Sequence, residues 1–195
     1  MEKYQILLDT VRQQYASVVW THKIQEKQAD LYAEKYQKYE TANIIFSSIT
    51  ACGVVGLIFQ DYIMWKIITA LISFVTIFIA AYNKSFDLKA RAADNKVSAN
   101  QFIEIRNEML QIISDIHIME KSVADINTEF VEIMERLNKL YTEVPTTTKE
   151  AVDAAREALK VNKDYTFDDA EIDLFLPPAL RGRLKQAGNI QEKTD

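Results

Sequence analysis

Two long uncharged stretches, separated by a short polar link, constrain this chain more than any other feature. No charged residue occurs in 41–60 or in 67–83, and Asp61 and Lys66 lie in the link. A helix of about 20 apolar residues is long enough to cross the hydrocarbon core of a bilayer. We therefore predict a transmembrane helical hairpin over 41–83, with its spans at 41–60 and 67–83.

Helix-breaking residues are scarce in the chain. It has four glycines and three prolines, and none of them lies between Gly56 and Pro145. Sheets need many turns, and turns are rich in Gly and Pro. The composition therefore predicts an all-α protein, in which long cytoplasmic helices form a coiled coil or helical bundle beside the hairpin.

Basic residues are concentrated on the outer flanks of the two spans. Eight of them lie there: Lys23, Lys27, Lys35, Lys38, Lys84, Lys89, Arg91 and Lys96. The link carries only Lys66. Because Lys and Arg in short flanks are retained in the cytoplasm, this asymmetry predicts that both termini are cytoplasmic and that the link is outside. The alternative is a buried hairpin in a soluble bundle, and the length of the spans argues against it.

Polar and small residues recur at helical spacing inside the spans. They form one stripe of Asn43, Ser47 and Thr50, a second row of Ser48, Cys52 and Gly56, and in the other span a stripe of Thr69, Ser73, Thr76 and Asn83. Such faces favour close helix packing, within the hairpin or between protomers. The same stripes would line a water-filled pore in an oligomer. Neither span contains an ionisable residue, so a proton relay is not supported.

A heptad pattern follows the second span. Its apolar positions step by three and four residues: Phe102, Ile105, Met109, Ile112, Ile116, Met119, Val123, Ile126, Phe130, Ile133, Leu137 and Leu140. This pattern is typical of a coiled coil, and the positions from Ile105 to Leu137, apart from Met119, are candidate oligomer contacts.

The heptad segment forms either one long helix or an antiparallel pair. We favour a reversal between His117 and Ser122, because one helix of about 60 residues would reach ~90 Å and Ser122 with Asp125 can cap a second arm.

Two capping signals predict short helices beyond Pro145: Thr147 with Glu150 for a helix to Leu159, and Thr166 with Asp169 for a helix ending at Phe175. An acidic cluster lies nearby, without the central glycine that a calcium loop needs, and we interpret it as a solvated helix start: Asp164, Asp168, Asp169, Glu171 and Asp173.

The predicted units are a cytoplasmic helix at 1–40, the hairpin at 41–83, heptad helices at 84–143, short helices at 144–187 and a tail at 188–195.

The residue inventory argues against catalysis and against bound cofactors. The sequence has no Gly-rich phosphate loop, no zinc-ligand spacing and no nucleophile elbow. His22 and His117 are isolated, and we expect His22 to be a packed, surface-side residue rather than a metal ligand. The net charge of −5 argues against direct nucleic-acid binding. We predict no enzyme activity, no metal and no cofactor.

Several short segments follow one another in the chain: Trp20-Thr21-His22-Lys23, Glu26-Lys27, Ala29-Asp30, Leu88-Lys89-Ala90-Arg91-Ala92, Arg106-Asn107-Glu108 and Asp173-Leu174-Phe175-Leu176-Pro177. Taken together, they resemble the SLATT family of two-transmembrane-helix proteins from bacterial conflict systems. The resemblance covers roughly residues 15 to 180. It implies a location in the bacterial inner membrane and a partner sensor encoded nearby. That sensor would be a nucleotide-synthesising enzyme, a reverse transcriptase or a nucleotide-binding domain.

The function implied by this resemblance is that of an anti-phage membrane effector. Such a protein would oligomerise in the lipid bilayer, form a pore or disrupt the inner membrane, and cause growth arrest or death of an infected cell. The alternative is a passive membrane-anchored scaffold that recruits a cytoplasmic partner through its coiled coil. A third reading, an enzyme on an anchor, predicts activity in residues 84–195 alone.

Overall fold

The computed structural model describes residues 2–59 and 62–177, without the side chains of residues 57–59. The described residues form six α-helices: α1 (Glu2–Phe59), α2 (Ile63–Phe86), α3 (Leu88–Ile118), α4 (Val123–Glu143), α5 (Lys149–Arg156) and α6 (Asp169–Phe175). A π-helical turn, Glu157–Val161, continues α5. No strand occurs among these residues. The all-α prediction is confirmed, and the predicted tail at 188–195 lies outside the described residues.

Helix α1 is unbroken over 58 residues, a length of ~87 Å. The chain has no glycine before Gly53 and no proline before Pro145, so no residue in most of α1 disfavours the helix. The first uncharged stretch is therefore the C-terminal part of a much longer helix. Helix α1 packs against α2 to form the hairpin and against α3 to form the bundle.

Asp87 joins α2 to α3 with almost no interruption. Its backbone is left-handed, with φ of 42°, which is uncommon for a residue other than glycine. Its N–H donates to the Asn83 carbonyl and so closes α2. Its carboxylate accepts from the Ala90 N–H at 3.2 Å and so begins α3. One residue thus ends α2, begins α3 and caps both helices.

The heptad segment reverses between α3 and α4, which confirms the antiparallel alternative. Met119 ends α3 with φ of 60°, and Ser122 begins α4 by accepting from the Asp125 N–H. The hydroxyl of Tyr4 in α1 donates to the Lys121 carbonyl at 2.8 Å and ties this turn to the first helix. Single-residue capping thus replaces the glycine or proline that a turn often contains.

The apolar heptad residues form the core of a three-helix bundle made by α1, α3 and α4. Ten of them are buried: Phe102, Ile105, Met109, Ile112, Ile116, Ile126, Phe130, Ile133, Leu137 and Leu140. Leu7, Val11 and Val18 of α1 complete this core. Val123 packs at its edge, whereas Met119 is 46% exposed because it occupies the turn. The predicted oligomer contacts therefore lie inside one chain.

Two predicted caps are wrong by one or two residues. The N-cap of α5 is Thr148, which accepts from the Ala151 N–H, and not Thr147. The N-cap of α6 is Asp168, which forms a capping box with Glu171, and not Thr166. Gln28 selects Thr148, because its Oε1 accepts from the Thr148 N–H at 2.6 Å. This bond fixes the start of α5 against α1.

Candidate functional site

The two helices of the hairpin approach each other closely at Gly53 and Thr69. Thr69 is the buried residue of α2. A Cβ atom placed on Gly53 would lie only 2.7 Å from Thr69 Oγ1. Glycine at this position therefore allows the α1 backbone to touch a β-branched side chain, as small residues do in membrane helix pairs.

Adding a methyl group at Gly53 should loosen the hairpin. In Gly53→Ala the new Cβ would overlap the Thr69 hydroxyl, so Thr69 must turn or the helices must separate. We expect faster hydrogen exchange in α2 for the protein held in lipid nanodiscs. Gly56→Ala is the matched control, because a Cβ there meets nothing within 4 Å. The double variant Gly53→Ala/Thr69→Ala should regain slow exchange, and equal exchange in both single variants would contradict the close approach.

The polar stripes face each other across the hairpin interface. Thr69 is buried, Ser47 is exposed, and the others are half-buried: Asn43, Thr50, Ser73, Thr76 and Asn83. Ser73 Oγ donates to the Thr69 carbonyl at 2.8 Å, and Thr76 Oγ1 donates to the Ile72 carbonyl at 2.9 Å. These two hydroxyls are satisfied within α2 itself. The structure therefore places most of both stripes between α1 and α2 of one chain.

Three side chains of the stripes carry buried polar atoms that have no hydrogen-bond partner. The atoms are Asn43 Oδ1, Thr50 Oγ1 and both Asn83 Oδ1 and Nδ2. A buried amide or hydroxyl without a partner costs on the order of 1–3 kcal/mol. The hairpin interface thus contains polar groups that its own packing does not satisfy.

The outer surface of the hairpin combines large apolar residues with the row of small ones. Ile44, Ile45, Phe74, Ile77 and Phe78 are exposed on it. Ser48, Cys52 and Gly56 are also exposed. Among the described residues, one helical stretch, Ile63–Ile118, is long and apolar enough to cross a membrane. The exposed apolar surface is what a lipid-facing hairpin requires.

A cluster of aromatic rings and one lysine lies at the end of the hairpin that joins the bundle. The rings of Tyr39 and Tyr82 meet edge to face at 5.1 Å, and Tyr82 stacks on Phe86 at 4.4 Å. Lys35 Nζ lies 5.9 Å from the centre of the Tyr39 ring and 5.8 Å from that of Tyr82. Tyrosine and lysine at a helix end are typical of the membrane–water interface.

The bundle also contains a partly buried polar network that the sequence did not predict, in which Tyr165 is 41% exposed. His22 is 1% exposed; its Nδ1 bonds the Ala99 carbonyl and its Nε2 the Tyr165 hydroxyl, both at 2.9 Å. Lys23 Nζ lies 2.8 Å from the carboxylates of both Glu26 and Asp164.

The expectation that His22 lies at the surface is wrong. Asp164 is likewise not part of a solvated helix start. The one local sign of the network in the sequence is that His22 and Glu26 lie one turn apart on α1.

The ionisation of this network follows from burial and pairing. Burial opposes charge on Lys23, but hydrogen bonds to Asp164 and Glu26 outweigh it and raise the pKa of Lys23. Burial would raise the pKa of Glu26, but bonds from Lys23 and Tyr165 lower it. The pKa of His22 is lowered, chiefly by burial. At neutral pH the network therefore holds a charged Lys23, a charged Glu26 and a neutral His22.

The hydroxyl proton of Tyr165 is shared between two acceptors. A carbonyl can only accept, so the neutral His22 carries its proton on Nδ1, and its Nε2 is an acceptor. The Tyr165 hydroxyl lies 2.9 Å from both His22 Nε2 and Glu26 Oε2 and donates its one proton to one of them at a time. No group of three or more His, Cys, Asp or Glu side chains able to hold a metal is found in residues 2–59 and 62–177. The network joins α1 to α3 through Ala99 and to the loop that carries Tyr165.

A family model for the SMODS and SLOG-associating 2TM effector domain family 4 matches residues 7–171. That range includes both helices of the hairpin, the bundle and the polar network. The chain belongs to the SLATT family. The resemblance seen in the sequence is confirmed. By this description the SLATT domain is a membrane effector with two transmembrane helices, and not a member of a known enzyme class. Searches of curated proteins and of solved structures found no match.

Proposed function

We propose that this SLATT protein is a multi-pass effector of the bacterial inner membrane that opens a conductance when a partner sensor signals infection. Hairpins from several protomers assemble, water enters along their polar stripes, and the loss of membrane potential arrests or kills the cell. The sensor is encoded nearby and is a nucleotide-synthesising enzyme, a reverse transcriptase or a nucleotide-binding domain.

The unpaired polar atoms of Asn43, Thr50 and Asn83 carry this proposal. A hairpin that only anchored a protein would gain stability from apolar residues at these positions. Water or the helices of a second protomer would supply the missing partners. The closed hairpin is therefore the resting state, and its polar residues become useful in an opened, oligomeric state.

Both termini lie in the cytoplasm in this proposal. The basic residues that favour this orientation lie at the bundle end of the hairpin, where Lys35 contacts the ring cluster of Tyr39 and Tyr82. The bundle and α5 then face the cytoplasm, where a sensor acts. The polar link between the spans faces outward.

The protomers meet through the outer surface of the hairpin. The heptad residues of α3 and α4 are occupied by the core of the bundle, so they are not free to join two chains. The exposed row of Ser48, Cys52 and Gly56 offers a flat surface at which helices of neighbouring protomers approach closely.

Exchange of the hairpin distinguishes this effector from a membrane-anchored scaffold. We replace residues 41–83 by an unrelated two-span hairpin of equal length and keep both flanks. Induced expression of the natural chain with its neighbouring sensor gene should discharge a membrane-potential dye during phage infection. The exchanged chain should leave the potential unchanged while it reaches the membrane in equal amount. A scaffold would retain protection with the foreign hairpin, and that result would refute the proposed function.

A further inference from the structure

The loop between the π-helical turn and α6 is held against the bundle in a strained conformation. Lys163 and Tyr165 both have left-handed backbones, with φ of 54° and 68°. Neither is a glycine, so the conformation is unfavourable for both. Strain of this kind persists only where surrounding contacts hold it. The loop from Asn162 to Asp168 therefore depends on what it touches.

The turn that precedes the loop is also irregular. In Glu157–Val161 the helix widens to a π-helical turn. The Asp164 N–H then reaches back to the Ala158 carbonyl at 2.9 Å. Single π-helical turns are rare and occur often at functional positions. Here the turn directs Asp164 and Tyr165 towards α1.

Tyr165 occupies the junction of α1 and α3. Its hydroxyl bonds His22 and Glu26 of α1. Its ring lies 4.6 Å from Lys23 Nζ and 5.2 Å from the guanidinium carbon of Arg106 on α3. A tyrosine ring between two cations is stabilised by both. One side chain from the C-terminal part thus contacts the two helices that continue into the hairpin.

This junction lies on helices that lead to the hairpin, so it affects how the two membrane helices are placed. His22 and Thr41 lie on the same unbroken helix, 19 residues or ~28 Å apart. Arg106 lies on α3, which joins α2 at Asp87. A contact that fixes α1 relative to α3 therefore also fixes the two helices of the hairpin relative to each other.

We propose that residues 162–168 are an autoinhibitory latch, which fastens α1 to α3 and keeps the hairpin closed until the latch is released. Tyr165 and Asp164 are its two holding side chains, and His22, Lys23, Glu26 and Arg106 form its seat. This inference rests on the proposed function, because it concerns what keeps that conductance closed.

The test uses the full chain and two conservative variants, Tyr165→Phe and Asp164→Asn, alone and combined. Phe167→Leu is the matched control, since Phe167 lies in the same loop, is exposed and contacts Phe175 rather than the seat. Hydrogen exchange in nanodiscs reports latch release in residues 157–168, and exchange in α4 reports the fold of the bundle. A membrane-potential dye reports conductance in cells that express the chain without its sensor.

We expect the combined variant to exchange at least tenfold faster in residues 157–168, with α4 unchanged, and to depolarise cells without a sensor. The control should do neither. If residues 157–168 exchange faster but cells without a sensor keep their membrane potential, the latch proposal is wrong. That conclusion holds even when the natural chain still depolarises infected cells. If exchange also becomes faster in α4 of the combined variant, the bundle itself is disturbed. The single variant Tyr165→Phe then provides the test, because it removes one oxygen atom and keeps the ring. A natural chain that never depolarises cells refutes the proposed function instead.

Discussion

Replacing Asn43, Thr50 and Asn83 by Leu, Val and Leu should abolish the conductance and leave the protein in the membrane. These side chains hold four buried atoms without partners in the closed hairpin. Each unsatisfied group costs on the order of 1–3 kcal/mol, so the substitutions stabilise the closed state. A gain of about 3 kcal/mol in total lowers the open fraction roughly 100-fold, since 1.4 kcal/mol is tenfold. The stripe also loses its affinity for water.

The measurement is depolarisation of cells that contain the sensor, at matched amounts of protein in the membrane. Ser73→Ala with Thr76→Val is the control, because those hydroxyls lie in the same interface but bond carbonyls of α2. We expect the control to retain most of its conductance. Equal loss in both variants would indicate a general effect of apolar substitution. Full conductance in the triple variant would show that the stripe only packs the helices.

Phe102→Ala should destabilise the three-helix bundle by about 3–5 kcal/mol, the usual cost of emptying a large core site. Phe102 is 0% exposed and its ring lies 5.5 Å from that of Tyr141 on α4. Removing it leaves a cavity between two arms that the short turn at Met119 joins. The free energy of unfolding is measured by urea titration of the detergent-solubilised protein, followed by circular dichroism.

Leu110→Ala on the same helix is the comparison, since Leu110 is 52% exposed. Its effect on the free energy of unfolding should stay within about 0.5 kcal/mol, as for most surface changes. If Phe102→Ala costs less than about 1 kcal/mol, the heptad residues do not form the core of a single chain. An intermolecular coiled coil would instead make the loss depend on protein concentration.

The helices and the buried heptad positions were predictable because their signals are local. Periodic apolar residues such as Met109 and Leu137 reveal a buried face without knowledge of the partner. The same pattern does not say whether the partner is another chain or a later part of the same chain. The capping pair Ser122 and Asp125 favoured the second answer, because a cap marks where a helix begins.

The polar network was not predictable, since it joins residues 143 positions apart in the sequence. Apolar residues of α1 such as Val11 and Val18 are buried as expected, but residues 22–28 break the pattern, because His22, Lys23, Gln25 and Gln28 are all buried. Each of these is satisfied in part by a residue from α3 or from beyond α4. Gln28 also explains the misplaced cap: three consecutive threonines offer equal local signals, and a distant hydrogen bond selects Thr148.

The connections between bundle and hairpin differ on the two sides. Helix α1 crosses from one to the other as a single stiff rod, whereas α2 and α3 meet at the left-handed residue Asp87. An α-helix is stiff along its length, so the placement of α1 in the bundle also sets the placement of its residues 41–59. The placement of α2 depends in addition on the left-handed backbone of Asp87 and on the two caps that this residue makes.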